Sequence, residues 1–421
     1  MENKQYKKLV SALSGAMALI VMSLNAQAFE SMKMGEWDVD ISGNINGFVT
    51  NVDCNPNGNG VVQAGLACGS NGSDRKVGSI RTGLLPSWFG FHAKQVNDSG
   101  LTTELNIGFQ PGIDGGAQSN ELDGALQNNS ENLRQVNLKF GSSWGTIMIG
   151  RDLGVFGSDA ILSDMTLLGV GTVSDLTAGG GNTSLGRIGV GYLYADWKAQ
   201  VQYASPNWDG FSFAFAVVDP WGLAGLSSTS LNSSSFGQLG DTYGFEGKAS
   251  FEWGGGANST MTGKVWAGFI TQSLDTSSAS FTSQDATGYD VGAKVGFGGL
   301  ELVAYLYDGD GIGTTGFLLD AVDSSGNTRD SDGYYVQAAY KLPQMGTKFG
   351  ISVGESNLDR GPGDGPLTSL VKTNESYVVG VYHPLTQSLN LVLEYTKTDA
   401  SAHNGNTATE STLAIGAILF Y

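Results

Sequence analysis

Tyr243-Gly-Phe245-Glu246-Gly-Lys248-Ala249-Ser250-Phe251-Glu252-Trp253 is the stretch whose reading decides the fold. Taken two residues at a time, it places Tyr243, Phe245, Ala249, Phe251 and Trp253 on one side of an extended chain. Glu246, Lys248, Ser250 and Glu252 fall on the other, as expected of a strand that separates an apolar surface from a wet one. The pattern recurs with Tyr289, Val291, Ala293, Val295 and Phe297 opposite Asp290 and Lys294, and with Tyr334, Val336, Ala338 and Tyr340 opposite Gln337 and Lys341. Charges keep to the polar side.

The same period predicts sixteen strands, near residues 37–51, 75–95, 101–110, 132–141, 144–151, 185–203, 211–219, 242–253, 261–272, 287–297, 299–308, 333–342, 347–355, 375–383, 388–398 and 409–421. Their connections alternate between short turns, such as Asn97 to Gly100 and Pro343 to Gly346, and long polar stretches, such as 52–74, 152–184 and 309–332. Short turns at one rim and long loops at the other predict an all-β, antiparallel transmembrane β-barrel of sixteen strands. A β-sandwich has no reason to alternate its loop lengths. The final stripe, Leu413, Ile415, Ala417, Leu419 and Tyr421, must then seal against the first strand, because lipid offers no partner to an open sheet edge. Trp37, Trp197, Trp253, Tyr382 and Tyr421 are expected in interfacial aromatic girdles.

Lys4, Lys7 and Lys8 precede an apolar run from Leu9 to Leu24 and the small-residue pattern Ala26-Gln27-Ala28. This predicts a secretory signal over 1–28, cleaved between Ala28 and Phe29, with 29–421 forming the barrel. A membrane-spanning helix is the competing reading, interrupted by Ser11, Ser14, Gly15 and Ser23. Charged residues make up only 15% of the chain and glycines number 63, which suits strands, tight turns and polar loops better than an ordinary soluble domain. The net charge is −18, and loss of 1–28 leaves 19 Lys and Arg against 39 Asp and Glu. So acidic a chain has no basic surface with which to neutralise nucleic-acid phosphates. Cys54 and Cys68 lie close together in a polar stretch. A disulfide between them is expected in an exported protein and would contribute roughly 3 kcal/mol through loop closure; two free thiols are the alternative.

Phe140-Gly-Ser-Ser-Trp-Gly-Thr-Ile-Met-Ile-Gly-Arg-Asp152 resembles the strand, turn, strand and Gly-Arg ending of the general, usually trimeric, porins of Gram-negative outer membranes. Leu85-Pro86-Ser87, Gly108-Phe109-Gln110-Pro111-Gly112 and Gly191-Tyr192-Leu193-Tyr194-Ala195-Asp196 are similar to that family too. The resemblance implies a homotrimer in outer-membrane lipid that passes small hydrophilic solutes and ions without a cofactor. It also implies that the last strand is read by the barrel assembly machinery, and that the third long loop folds inward to narrow the channel. One departure is that Asp164-Met-Thr-Leu-Leu-Gly-Val-Gly171 lacks the acidic, Glu-containing tip of the enterobacterial members. Its Leu167, Leu168 and Val170 need a dry place to pack.

The loop from Asp152 to Gly186 carries Asp152, Asp159, Asp164 and Asp175 and no Lys or Arg. Arg81, Lys139 and Arg187 fall by parity on the polar faces of the second, fourth and sixth strands, so carboxylates and cations would face each other across the narrowest water. Local pairing with carboxylates in solvated positions is the plainer alternative. Arg134 shares parity with lipid-facing residues and is assigned no channel role. His92, His383 and His403 lie in separate segments without metal-ligand spacing, and no nucleophile and base motif supports an enzyme. Asp308-Gly-Asp310 and the segment from Asp323 to Asp332 do not match a twelve-residue calcium loop and read as solvated turns. A substrate-selective channel and a non-conducting surface scaffold remain as rival functions.

Overall fold

The computed structural model describes residues 31–57, 60–68, 74–113, 132–173, 183–220, 242–254, 261–274, 284–323 and 325–421. The predicted leader, with its cleavage point at Ala28 and Phe29, lies outside them. The strands are β1 (Trp37–Asn55), β2 in two pieces (Arg75–Arg81 and Trp88–Val96), β3 (Thr102–Gln110), β4 (Asn132–Ser142), β5 (Gly145–Leu153) and β6 (Trp197–Ala204). They continue with β7 (Phe211–Val218), β8 (Gly244–Trp253), β9 (Met261–Leu274), β10 (Gln284–Phe297) and β11 (Leu300–Asp310). The last five are β12 (Asp330–Lys341), β13 (Lys348–Leu358), β14 (Val371–Pro384), β15 (Leu389–Ala402) and β16 (Thr407–Phe420). Met32–Met34 folds back on Trp37–Val39 as a small hairpin and adds no stave.

Each strand pairs antiparallel with its neighbours in sequence, and β16 pairs with β1 from Thr409 opposite Asn55 to Phe420 opposite Asn44. The sheet is therefore a closed barrel of sixteen staves. Tyr421 extends the seam by exchanging backbone hydrogen bonds with Gly43 at 2.9 and 3.0 Å. Closure leaves no lipid-facing edge whose amides lack partners.

Alternation sets the two faces. On β15, Leu391, Leu393 and Tyr395 are exposed while Val392, Glu394 and Thr396 are buried. On β16, Leu413, Ile415 and Leu419 are exposed by 52%, 58% and 41%, with Ala417 between them. A belt of exposed leucine, valine, isoleucine and aromatic side chains is the reverse of a water-soluble surface and matches a hydrocarbon environment. The buried faces look into the barrel.

Three expectations need correction. The strand predicted at 185–203 begins only at Trp197, because Gly186, Gly189, Gly191 and Asp196 all take positive φ, which breaks extended structure. The second strand is interrupted over 82–87, where Pro86 can donate nothing to a ladder. Tyr382 and Trp197 leave the expected girdle: Tyr382 points inward and both are buried. Tyr289, Phe297, Tyr340 and Tyr377 are exposed instead.

Candidate functional site

Between β5 and β6, residues 154–173 and 183–196 lie within the barrel, against the inner faces of its strands. Gly157, at φ +70°, turns the chain into a short helix, α1 (Ser158–Ser163), followed by a 3-10 turn at Met165–Leu168. Irregular backbone inside a barrel needs partners for its amides, and inward side chains supply them. On β8, Glu246 accepts the amides of Val155 at 2.6 Å and Phe156 at 2.9 Å, and it pairs with Lys198 of β6. On β10, Asp290 accepts the Gly157 amide at 3.2 Å and the Tyr305 hydroxyl at 3.1 Å. On β12, Tyr335 donates its hydroxyl to the Ala160 carbonyl at 2.8 Å, and Gln337 accepts the Met165 amide at 2.7 Å. On β15, Glu394 accepts the amides of Val170 at 2.6 Å and Gly171 at 2.9 Å, and the Tyr382 hydroxyl at 2.5 Å.

The loop then reaches the break in β2. There Asn46 of β1 takes over the lost ladder, accepting the Gly83 amide at 2.8 Å and donating to the Leu85 carbonyl at 2.9 Å. Leu84 donates to the Gly169 carbonyl at 2.9 Å, and Ser184 donates to the Gly83 carbonyl at 3.1 Å. The interruption is thus a docking slot for the loop. Leu167 packs with Phe156, Ile161, Tyr192, Tyr305 and Tyr335 in one apolar cluster, and Val170 with Phe48 and Met165 in another, which gives these side chains the dry surroundings they require.

Against this frame, the charges foreseen from the sequence fall into distinct places. Asp152, at the end of β5, accepts Gln135 at 3.0 Å and Asn137 at 3.2 Å and lies 3.3 Å from Lys139 on the same stretch of inner wall. Asp159, on α1, is clasped by Lys248 at 2.8 Å and Lys264 at 2.6 Å. Burial raises its pKa, but the two lysines outweigh burial and bring the carboxyl down to about 2. Asp164 accepts the Tyr192 hydroxyl at 2.9 Å and the Thr166 amide, and burial pushes its carboxyl up against the pull of nearby Arg187. Arg187 is fully buried and donates to the carbonyls of Val190 at 3.1 Å and Ser376 at 3.2 Å. Arg81 is also buried, donating to the Thr183 carbonyl at 2.7 Å. Asp175 lies outside the described residues.

The family model described as Gram-negative porin matches residues 14–403 of this chain. The chain belongs to the Gram-negative porin family. No curated protein matches by sequence. Among solved structures, this porin is similar to the outer membrane channel DcaP of Acinetobacter baumannii, at 13% identity and TM-score 0.62 over 93% of this chain and all of the other. It is similar to the anion-selective porin from Comamonas acidovorans, at 13% identity and TM-score 0.59 over 92% of this chain and all of the other. The OmpF structure from Salmonella typhi in complex with daunomycin gives 13% identity and TM-score 0.56 over 93% and 100%. At such identities the likeness is one of fold.

Family and fold make this porin an outer-membrane channel protein rather than an enzyme. Asp159, Asp164, Arg81 and Arg187, foreseen as charges facing each other across the channel, are all buried among loop and wall partners. Arg187 rides on the loop itself, so the strand parity used to place it does not apply. Arg134 also departs from parity. A bulge between β3 and β4 turns both Leu133 and Val136 outward and leaves Arg134 buried beside Trp197, its guanidinium 6.0 Å from the ring centroid.

Of the loop's main anchors, Glu246 and Asp290 are placed by the sequence on polar strand faces and Glu394 is not singled out, and none of the three carries an anchoring role there. Each sits on the inward parity of an unmistakable strand, which was the available signal. Among the described residues, no group of three or more metal-ligating side chains is gathered. Asp323 is occupied as a turn acceptor for the amides of Ser325 at 2.8 Å, Asn327 at 2.9 Å and Gly363 at 2.5 Å. Cys54 and Cys68 are joined, with sulfurs 2.06 Å apart.

Proposed function

We propose that this porin is a passive channel that lets small hydrophilic solutes and ions run down their gradients, without a cofactor. The observation that carries the reading is the unequal lining of the barrel. On the inner faces of β9 to β12, Trp266, Ile270, Val303, Tyr305 and Tyr335 are buried in one apolar cluster with Leu167 and Phe156 of the third loop. The inner faces of β3 to β6 carry Asn106, Asn137, Lys139, Asp152 and Gln202, none of them covered by that apolar cluster. Water and solute pass between the loop and this amide-rich side, where Lys139 and Asp152 are among the charges a permeating ion meets. A homotrimer in outer-membrane lipid, a signal cleaved after Ala28 and assembly through the stripe ending at Tyr421 complete the reading.

Reconstitution of purified protein into planar bilayers tests it. Stepwise currents that close in threes are expected, and a folded barrel that carries no current defeats the reading. Asp152→Asn and Lys139→Gln should move the reversal potential in a salt gradient in opposite directions; unmoved potentials in both would remove the pair from the path. The extent of dry packing in the barrel favours a second reading, a channel selective for one solute class. Saturable block of the current by that class would support it.

A further inference from the structure

The described part of loop 1, residues 60–68, does not stand away from the barrel. Gln63 pairs with the chain after β13, its amide donating to the Ser369 carbonyl at 2.8 Å and its carbonyl accepting from Val371 at 2.8 Å. The Leu66 amide donates to Asn374 of β14 at 2.9 Å, and the Cys68 amide donates to Glu410 of β16 at 3.0 Å. Val62, Ala67, Cys54 and Cys68 are buried in a small core with Leu358 and Leu370, and the disulfide closes the loop. The loop therefore leans from β1 across β16 toward β14.

At its innermost point Leu66 leaves that small core and joins the apolar cluster under the third loop. It touches Gly189, in the limb that returns from the third loop to β6. A methyl group built on Gly189 would lie 2.6 Å from Leu66 Cδ1 and 2.7 Å from Thr315 Oγ1 of loop 6 (311–329). Gly189 is at φ +75°, so neither space nor backbone conformation admits a side chain. The Thr315 carbonyl in turn accepts the Tyr194 amide at 3.0 Å. The return limb is held from above by two other loops, and only loop 1 is covalently closed.

We propose that loop 1, closed by the Cys54–Cys68 bond, is a latch that fixes the return limb of the third loop, with Leu66 as the positioning residue. The anchors on β8, β10, β12 and β15 hold the outbound limb, 155–171. Over 186–196 the wall contributes packing, such as Tyr335 against Tyr192, but fewer hydrogen bonds, chiefly the Ser376 carbonyl to Arg187 and Ser356 to the Gly191 amide at 3.0 Å. Without the latch, this limb gains freedom to move into the passage while the barrel stays closed. The effect on permeation rests on the channel reading given above; the effect on the limb does not.

The experiment uses the full-length protein refolded in detergent micelles and, separately, in planar bilayers. Leu66→Ala, Leu66→Met and the double variant Cys54→Ala with Cys68→Ala are compared with the parent. Backbone hydrogen exchange over 188–194 should quicken roughly tenfold or more in Leu66→Ala and in the double variant, and Leu66→Met should restore it. Exchange in β10 to β12 should stay unchanged in all of them. In bilayers the same two variants should show more frequent brief closures than the parent. Unchanged exchange over 188–194 in Leu66→Ala overturns the latch, as does quickening spread equally over the strands. Where the parent itself carries no current, the channel reading fails, and the exchange result still decides the latch.

Discussion

The carboxylate of Glu394, on β15, accepts the amide of Val170, at the tip of the third loop, across a distance of 2.6 Å. The same carboxylate accepts Gly171 and the Tyr382 hydroxyl, so one side chain satisfies three buried donors. Glu394→Ala should leave those donors unpaired, at about 1–3 kcal/mol for each one that water cannot reach. The expected outcome is a noisier channel and faster amide exchange over 168–173, with the barrel still folded. Quiet, parent-like traces would show that the tip is held by packing alone.

Asp159 gives the loop a defined response to acid. Its carboxyl ionises at about 2 in the folded protein against 3.8 for an ordinary aspartate, so its stabilising contribution is complete above pH 3.8 and is lost as pH falls through about 2. This window corresponds to about 2 kcal/mol. Conductance should therefore be insensitive to this contact between pH 7 and pH 4, and Asp159→Asn should loosen α1 throughout that range, with the difference from the parent vanishing below about pH 2. A transition near pH 6 that Asp159→Asn abolishes would contradict the assignment.

Arg187 and Asp164 are both buried, and each counters the other's charge. Arg187→Ala should destabilise the folded protein by roughly 3–5 kcal/mol, because a buried carboxylate is left uncompensated. Arg187→Leu combined with Asp164→Leu should recover part of that loss. Heat resistance of the folded barrel on a denaturing gel reads both. Equal loss in the single and double variants would mean that the charges do not communicate.

Gly83 forms the floor of the slot in β2. A methyl group there would stand 2.2 Å from the Gly169 carbonyl oxygen and 2.7 Å from the Phe48 ring. Gly83→Ala should displace the loop tip at a cost of about 1–3 kcal/mol. A larger change in conductance than in heat resistance is the expected signature, and the reverse would place the strain in the strand.

The barrel was legible because its physics is local. Every stave must show lipid an apolar side, so alternation in Tyr243–Trp253 or Leu389–Ala402 announces both a strand and its orientation. Parity failed where the backbone slips. The extra residue at Arg134 and the positive φ of Gly186, Gly189 and Gly191 each break the count, although glycines spaced so closely were a visible warning. The site was less legible for another reason. Parity says that Glu246 and Glu394 point inward, but not that each will meet two consecutive amides of a loop far away in sequence. Lys248 and Lys264 were likewise readable as inward cations and Asp159 as a loop carboxylate, but not that the two lysines would share it.

That separation has a consequence for how the protein comes into being. Val170 must wait for Glu394, 224 positions further along the chain, and Val155 for Glu246, 91 positions further. The third loop therefore cannot complete its hydrogen bonds until the late strands that carry these carboxylates are in place, which ties the seating of the loop to the final steps of barrel formation.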